Sequence, residues 1–598
     1  MNGRFASFWE NALSATLIAT AFLLPVTFYL ETFDPVLIKH LTLGAAATLA
    51  ASFWLARQLE TGRIEIPVSR AGVSALVAIA LTWSLFSYAA GDPAPASCLS
   101  ALRSVSFILL FGVLLLGPAS TGFADALSSA LIAAGSLVIF SGLAETLSPL
   151  HVEQWAVLSA AVIPLALARW SDPEAGTAAR GAAVVATLAC LWSVVSFGRP
   201  DALAALGLGG FAYWATCTSL LQDERQQLSG YVGLATVPLA MWAFAARPAQ
   251  SLLAAADRWS AARAAAEATW TTRPWAGTGL GSLSNVNTAE PFATAAETGT
   301  IGLGLWVLFA ALTLWLSWRE IRRRAHHGEY RAAGILAGQR SAYSALIVAG
   351  ILGTATRSPA IGAALWLLAA SVIGLSTEHG AAHVYVIPIP APTFMRRALL
   401  VPICAIVALV FSWSGTQWNS DLTLNEGVFE HRRGGSDAAL RLLAKVDGGH
   451  HEVALARFLS AEIYNDRGDL DSALALYRET IDIAPDHPQA GLREGVVLAK
   501  QGRYGESQRA LTDFIAKQPD DANAYVALID VEQNLGRNKR ARDAALQLVR
   551  LDPEQPEYWR LLAEQYHGMR RTRTARRLFN KATRVSELVK LPGVETRG

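Results

Sequence analysis

Long apolar stretches fill the first 415 residues of the chain and constrain its fold more than any other feature. A helix needs about 20 mostly apolar residues to cross the hydrocarbon core of a bilayer. Thirteen stretches approach this length, at residues 11–31, 36–57, 71–90, 100–118, 123–145, 153–169, 181–197, 201–221, 229–246, 298–318, 341–356, 357–376 and 397–414. Only 16% of the chain is charged, and the deficit lies in this region. We therefore predict an all-α fold that begins with a polytopic membrane helix bundle of about thirteen spans, residues 1–415.

The distribution of arginine predicts how these spans are oriented, because cytoplasmic loops carry an excess of Lys and Arg. Arg57, Arg63 and Arg70 follow the second stretch, and six arginines follow the tenth, between residues 319 and 340. The connections after the first, third and fifth stretches, at ETFDP, GDPAPAS and the Leu150-His151-Val152 turn, are short and poor in Lys and Arg. We expect a multi-pass protein of the bacterial cytoplasmic (inner) membrane with a cytoplasmic N-terminus and a periplasmic C-terminal part. One span more or fewer would place that part in the cytoplasm.

A period of 34 residues dominates the polar C-terminal part of the chain. Glycine recurs at Gly434, Gly468, Gly502 and Gly536, and Arg570 occupies the next position. Small residues follow five positions later, at Ala439, Ala473, Ser507, Ala541 and Ala575, and proline recurs at Pro485, Pro519 and Pro553. This pattern is typical of tetratricopeptide repeats, in which small residues let two helices cross and proline ends the second. We predict an extracytoplasmic α-solenoid of about five helical hairpins at 420–590.

Stacked repeats of this kind build extended concave surfaces. We therefore expect the repeats to bind a protein partner, the alternative being a stable cap without a ligand. The net charge of +2 is too small to predict a nucleic-acid partner. No cysteine and histidine pattern predicts a metal site, and no cofactor is expected.

The longest extracytoplasmic connection, residues 247–297, carries the features that point to a site. Residues 250–270 have the pattern of an amphipathic helix, which Pro274 ends. Gly277 and Gly279 follow in a tight turn whose backbone N–H groups can receive an anion.

Arginines lie in this connection and in two others on the same predicted side. Arg258 and Arg273 belong to the long connection, Arg199 to the turn after the seventh stretch, and Arg357 to the turn after the eleventh. The planar guanidinium donates two parallel hydrogen bonds to phosphate and stays charged. The alternative is that these arginines reach lipid headgroups from helix ends.

These motifs resemble the O-antigen ligase-like superfamily of O-antigen ligases, O-antigen polymerases and protein O-oligosaccharyltransferases. The resemblance covers residues 1–380 and is most specific in "DRWSAARAAAEATWTTRPWAGTGLG" and "ATAAETGTIGLGLWVL". Arg258 is similar to the arginine that opens the family's loop helix, Pro274-Gly277-Gly279 to its turn, and Glu297-Gly299-Gly302 to the entry into its next span. Arg199 is similar to an arginine of an earlier turn, out of register.

The resemblance implies a membrane glycosyltransferase whose donor is a glycan on undecaprenyl diphosphate. Arg258 and Arg199 are then catalytic residues that neutralise the leaving group. Arg273, Arg357, Gly277 and Gly279 contribute to binding of the diphosphate, and neither a metal nor a nucleotide sugar is required.

One departure from the family concerns the base that takes the acceptor's proton. The family's histidine would fall at Thr288, and no histidine lies between residues 152 and 325. Glu290 is the nearest candidate base, since burial raises the pKa of a carboxylate. The alternative is that Glu290 only precedes Pro291 at a helix entry. His151, in an earlier external turn, is a second candidate.

Two further interpretations therefore stand beside the enzyme. The chain could be a catalytically degenerate scaffold of a polysaccharide export or assembly complex that binds partners through its repeats. A secondary transporter is less well supported, because the chain has few charges in mid-span and no two related halves.

Overall fold

A computed structural model describes most of the chain. It covers residues 2–26, 35–90, 97–117, 120–142, 149–197, 199–246, 260, 263–264, 266–278, 290–353, 357–377, 384–447, 450–485 and 487–589. These residues form two compact units, which we call the first unit (up to Gly415) and the repeat unit (from Thr416 onwards). The expectation of an all-α fold is confirmed, apart from one small sheet.

In the described part of the chain, the long helices correspond one to one to the apolar stretches. They are α1 (Asn2–Val26), α2 (Pro35–Thr61), α3 (Val68–Ala90), α4 (Ser97–Leu116), α5 (Thr121–Gly142), α6 (Pro149–Ser171), α7 (Thr177–Phe197), α8 (Pro200–Leu220), α9 (Glu224–Ala245), α10 (Glu290–His326), α11 (Tyr330–Leu352), α12 (Pro359–Ser376) and, after the short α13 (Thr393–Ala398), α14 (Leu400–Arg432). Eight helices in the described ranges are long and apolar enough to cross a membrane. The count of thirteen spans stays a prediction.

A large cluster of buried apolar residues, to which each of α1–α12 contributes, forms the main core of the first unit. Helix α12 is buried along nearly its whole length. Close approach depends on small residues: a Cβ on Gly210 of α8 would lie 2.4 Å from Gly233 O of α9. The apolar part of α14 is exposed along its length, which suits a lipid-facing helix if this segment spans the membrane.

The connections between helices gather at two ends of the first unit. Arg70, at the start of α3, donates to Leu115 O at the end of α4 and to Thr377 Oγ1 after α12. We call this the even end, because connections after even-numbered helices meet there. The odd end holds the end of α3, the start of α10 and the start of α12. The arginine-rich connections lie at the even end, which the sequence predicts to be cytoplasmic.

The sequence did not predict the sheet at the even end. Strand β1 (Arg63–Pro67) follows α2, and β2 (Val384–Pro388) follows α12. They pair antiparallel, with Glu65 opposite Val386. Beside the sheet, Ser69 Oγ donates to Thr377 O, 308 residues away in the sequence.

The repeat unit consists of five consecutive helical hairpins. The first is made by the C-terminal part of α14 with α15 (Ser436–Leu443), and the others by α16 (His450–Asp466) with α17 (Leu470–Ile483), α18 (Ala490–Lys500) with α19 (Tyr504–Lys517), α20 (Ala522–Asn534) with α21 (Asn538–Leu551), and α22 (Pro556–Gly568) with α23 (Thr572–Val589). The small residues of the period, from Ala439 to Ala575, are buried where the two helices cross.

Candidate functional site

The loop that the sequence singled out folds back onto the start of α10. The turn 274–278 lies against residues 296–300, and we call this pair of segments the glycine crossing. Thr278 N donates to Ala296 O at 2.9 Å, and Thr300 N donates to Pro274 O at 2.8 Å. Two reciprocal backbone hydrogen bonds therefore fix the loop on the helix.

Two glycines make the crossing possible. Gly277 and Gly299 have φ values of 73° and 72°, in the left-handed region that favours glycine. A Cβ on Gly277 would lie 2.3 Å from Glu297 O, and one on Gly299 would lie 2.1 Å from Trp275 O. Gly299 also interrupts the helical backbone of α10. Any side chain at either position would push the two backbones apart.

Helix α3 clamps the crossing from the side. Trp83 Nε1 donates to Thr298 O at 2.8 Å. Ser87 Oγ lies 2.6 Å from Glu297 O and 3.0 Å from Ala276 O, so its single hydroxyl hydrogen serves both segments. The bonds to Glu297 and Thr298 satisfy carbonyl groups that lie beside the break in α10 at Gly299, and the bond to Ala276 ties the loop to α3.

The side chain of Glu297 holds one of the predicted arginines. Arg357 Nη2 donates to Glu297 Oε1 at 2.6 Å, and Glu297 is only 5% exposed. Arg103 Nη1, from α4, donates to Arg357 O at 2.7 Å. A charge-assisted bond of this length fixes the direction of the Arg357 guanidinium and offsets part of its charge. Glu297 is therefore a positioning residue for Arg357.

Arg199 is also held by a carboxylate. Its Nε and Nη2 donate to the two oxygens of Asp201, at 3.0 and 3.2 Å. Asp201 is buried in the first turn of α8, and a Cβ on Gly353 would lie 2.3 Å from its Oδ2. Gly353 and Arg357 are four positions apart in the sequence, which limits their separation to about 14 Å. The contact with Gly353 therefore places the Arg199–Asp201 pair in the same region as Arg357. Both arginine–carboxylate pairs lie at the odd end.

The described part of the loop helix has the amphipathic character that the sequence predicts. Residues 266–272 are helical and end before Pro274. Ala266 and Trp270 pack against Phe292 and Ala296 of α10. On the other face, exposed Arg263 and Glu267 lie 3.9 Å apart.

The remaining predicted site residues are placed only in part. Arg273 is exposed beside the crossing, and its carbonyl accepts from Gly277 N. Arg258, Gly279 and Thr288 lie outside the described residues. Glu290 is the first residue of α10, as expected of a residue that precedes a proline at a helix entry, but its side chain is not described.

The two candidate bases therefore remain untested by geometry. His151 lies in the first turn of α6, and its side chain also falls outside the described part. No distance joins either group to Arg199 or Arg357, so both stay candidates.

Sequence reasoning missed the partners of the arginines. Asp201 lies two residues after Arg199, and this spacing was a usable signal. Arg103 was also visible, as an ionisable residue inside an apolar stretch. The ion pair of Glu297 with Arg357 joins positions 60 residues apart, which no local pattern reveals.

The charges at the odd end favour an anion. Arg103, Arg199, Arg273 and Arg357 with Asp201 and Glu297 carry a net charge of +2. Within the described ranges, no group of three or more His, Cys, Asp and Glu side chains forms a potential metal site. The arrangement is one of guanidinium groups fixed by buried carboxylates beside a rigid backbone turn, and it can bind a phosphate-containing group.

Comparison with known proteins concerns the repeat unit. A family model described as Tetratricopeptide repeat matches residues 431–488 and 492–556. Tetratricopeptide repeat protein 7A of Homo sapiens is 29% identical over 106 residues, which are 18% of this chain. The aligned part is only 12% of that relative's length.

Solved structures with similarity include two MamA proteins. "MamA 41-end from Desulfovibrio magneticus RS-1" is 24% identical with a TM-score of 0.27, covering 29% of this chain and 97% of that one. "Crystal structure of MamA protein" is 18% identical with a TM-score of 0.27, covering 30% and 98%. The family model and the human relative show that the C-terminal part of the chain contains tetratricopeptide repeats.

Proposed function

We propose that the chain is a membrane glycosyltransferase of the O-antigen ligase or polymerase type. It would transfer or polymerise glycan from an undecaprenyl-diphosphate carrier on the outer side of the cytoplasmic membrane. The observation that carries the proposal is the Glu297–Arg357 pair beside the glycine crossing. The crossing joins residues from the two family-like motifs, and the pair adds Arg357 from the turn before α12.

In this proposal the arginines act on the leaving group. The acceptor hydroxyl attacks the anomeric carbon of the donor sugar while the bond from that carbon to the phosphate oxygen breaks. Undecaprenyl diphosphate leaves with the bonding electron pair, and the developing negative charge is neutralised by Arg199 and Arg357, together with Arg258 and Arg273. Guanidinium groups already fixed by Asp201 and Glu297 need little reorganisation during the reaction.

A base must take the proton of the acceptor hydroxyl as the new bond forms. Glu290 stands closest in sequence to the crossing, at the entry to α10. His151, in α6, is the second candidate. Gly277 does not bind the diphosphate as the sequence predicts, because its N–H donates to Arg273 O, and its role is to shape the turn. The backbone N–H of Gly279, two residues further along, would bind the diphosphate.

The alternative is a scaffold that retains the groove and binds partners through its repeats. Two observations favour it. The tetratricopeptide repeats suit binding of a protein, and Asp201 and Glu297 offset part of the charge of two arginines. In that case the odd end binds a lipid-linked glycan and does not catalyse its transfer.

The test is release of undecaprenyl diphosphate from a lipid-linked oligosaccharide by the full chain in liposomes. We expect release by the wild type and a loss of about 100-fold or more in Arg357→Ala and in Arg199→Ala. Arg322→Ala is the control, because Arg322 is exposed near the opposite end of α10. Glu290→Gln and His151→Gln identify the base, since only the true base variant loses turnover while retaining donor binding.

The scaffold is supported by a different outcome. Wild-type protein that binds the lipid-linked donor but releases no undecaprenyl diphosphate with several acceptors would exclude the transferase. Equal loss in Arg322→Ala and Arg357→Ala would show that the arginines act only through the net charge.

A further inference from the structure

The last helix of the repeat unit carries an unusual concentration of positive charge. Seven exposed basic residues lie within 15 positions: Arg570 and Arg571 in the turn before α23, and Arg573, Arg576, Arg577, Lys581 and Arg584 on the helix itself. Ala575 and Ala582 of α23 are buried against the repeat, so the basic residues occupy the opposite, outward face. This face, which we call the basic face, is independent of the site at the odd end.

Arginines in the preceding hairpins differ from those of the basic face in their charged neighbours. Most of them are in ion pairs: Arg457 with Glu479, Arg467 with Asp437, Arg478 with Glu494, Arg493 with Glu462, Arg503 with Glu506, Arg537 with Glu532, Arg542 with Asp543, and Arg560 with Glu557. Among the described residues, no carboxylate forms an ion pair with any member of the basic face. Among the side chains that the structure describes, repulsion between these charges is therefore not relieved by an ion pair.

The composition of the basic face indicates the kind of partner. Protein interfaces centre on apolar and aromatic anchors and are depleted of charge in the middle. The apolar side of α23 is turned inward, and Lys581 Nζ lies over the Trp559 ring at 3.6 Å. A face with many cations and no central apolar anchor fits a diffuse array of negative groups. Phospholipid headgroups at a bilayer surface form such an array.

We propose that the basic face of α23 docks on the surface of a bilayer that contains anionic phospholipid. A bilayer is the partner that the composition of this chain favours. The described part of the same chain has eight helices that are long and apolar enough to cross one. Docking is electrostatic, since no large apolar side chain is exposed in the described part of this face. It restrains α23 and weakens as salt screens the headgroups.

The test uses the full chain in nanodiscs and measures amide hydrogen exchange of α23. Discs of phosphatidylcholine are compared with discs that contain about one third phosphatidylglycerol. We expect about tenfold slower exchange of α23 in the anionic discs, and loss of this difference when salt rises from about 0.1 M to about 0.5 M.

The variant Arg573→Gln/Arg576→Gln/Arg577→Gln/Arg584→Gln keeps Lys581 and its contact with Trp559, and should lose the protection. A matched control removes the same charge from exposed residues elsewhere in the repeat unit: Arg441→Gln/Lys445→Gln/Arg509→Gln/Lys539→Gln. The control variant should retain the slower hydrogen exchange of α23 in the anionic discs.

Three outcomes would overturn the proposal: equal protection in neutral discs, equal loss in both variants, or protection by a soluble anionic polymer such as polyphosphate without protection by anionic discs. The last would identify a polymer as the partner. Unchanged circular dichroism of the repeat helices establishes that the α23 variant is folded.

Discussion

Left-handed residues occur in the turns of the repeat unit and at the glycine crossing of the first unit, and they serve different purposes in the two places. In the repeat unit, Gly434, Gly468, Gly502 and Gly536 have φ values of 70° to 86°, and a Cβ added to any of them would meet no atom within 4 Å. In the first unit, Gly277 and Gly299 have nearly the same φ, yet an added Cβ would lie within 2.3 Å of another segment's backbone.

The difference separates a local requirement from a tertiary one. A repeat glycine only turns the chain between two helices, and Arg570 performs the same turn with a φ of 59°. The glycines of the crossing must also leave room for a second backbone, so no other residue can replace them. Similar backbone angles thus imply tolerance in the repeat turns and intolerance at the glycine crossing. Gly328 of the first unit, with a φ of 77° and no atom within 4 Å of its Cβ position, resembles the repeat glycines.

The largest expected effect is that of Gly299→Ala. The added methyl group would lie 2.1 Å from Trp275 O, and the left-handed φ is unfavourable for alanine. We expect a loss of at least about 4 kcal/mol of stability in the first unit, measured as a lower apparent Tm in detergent. Gly304→Ala is the control, because it lies in the same helix with no atom within 4 Å of its Cβ position. A Gly299→Ala protein as stable as the control would contradict the crossing.

The next effect concerns the charge beside the crossing. Glu297→Gln removes the carboxylate that fixes Arg357 and leaves a guanidinium with only 12% of its side chain exposed. We expect a loss of about 2–4 kcal/mol, again as a lower apparent Tm. Glu267→Gln, which loosens the exposed pair with Arg263, should change stability by less than about 0.5 kcal/mol. Similar shifts in the two variants would show that the buried pair contributes little.

Gly502→Ala tests whether a glycine in a repeat turn can be replaced at small cost. Only the left-handed backbone opposes the substitution, so we expect a cost of about 1 kcal/mol. Hydrogen exchange of α18 and α19 in the full chain measures it as faster opening of that hairpin. A cost of the size predicted for Gly299→Ala would mean that the repeat turns make tertiary contacts after all.

Arg570→Gly should raise the stability of its hairpin, whereas Gly502→Ala lowers that of its own. It relieves a left-handed non-glycine residue in the last repeat turn, and the gain is reduced by the greater freedom of glycine in the unfolded chain. We expect α22 and α23 to be stabilised by roughly 0.5–1 kcal/mol, seen as slower hydrogen exchange. Arg571→Gly, at the neighbouring position, should not stabilise the hairpin.

The smallest effect depends on pH and concerns the residue after Gly468. Asp469 caps α17, and hydrogen bonds from the Ser472 hydroxyl and backbone N–H lower the pKa of its carboxyl group. A lowered pKa in the folded state stabilises above the ordinary pKa of the carboxyl, and this contribution disappears as the pH falls through the folded pKa.

Asp469→Asn keeps a capping side chain without the charge. We therefore expect a Tm for the repeat helices about 1–2 °C below that of the wild type at pH 7. The two Tm values should converge as the pH falls through the lowered pKa of Asp469 in the folded state. A constant difference at all pH values would show that the charge plays no part.

Local signals explain what could be predicted from the sequence. The all-helical character follows from apolar stretches of the length of a helix, and the prediction of tetratricopeptide repeats, which depended on a fixed period, is confirmed. The end of the loop helix before Pro274 was also predictable, because proline removes a backbone donor. Each of these depends on residues close together in the sequence.

The parts that could not be predicted join distant residues. Nothing near Arg357 specifies Glu297, and nothing near Trp83 or Ser87 specifies the carbonyl groups that they clamp. The alternating apolar residues of "RIEIP" and "VYVIP" are too short to distinguish from loops until they pair. The functional assignment likewise remains a proposal, because the catalytic base depends on where Glu290 and His151 point.

The pairing of β1 with β2 constrains the order in which the parts of the first unit fold during synthesis. A ribosome that adds about 5–20 residues per second needs on the order of 15–60 s to travel the 308 residues from Ser69 to Thr377. During that interval the edge of β1 has no partner, and the first two helices have left the exit tunnel long before α12 exists. Closure of the first unit is therefore a late event in biogenesis, and a helper that shields this strand would act in that interval.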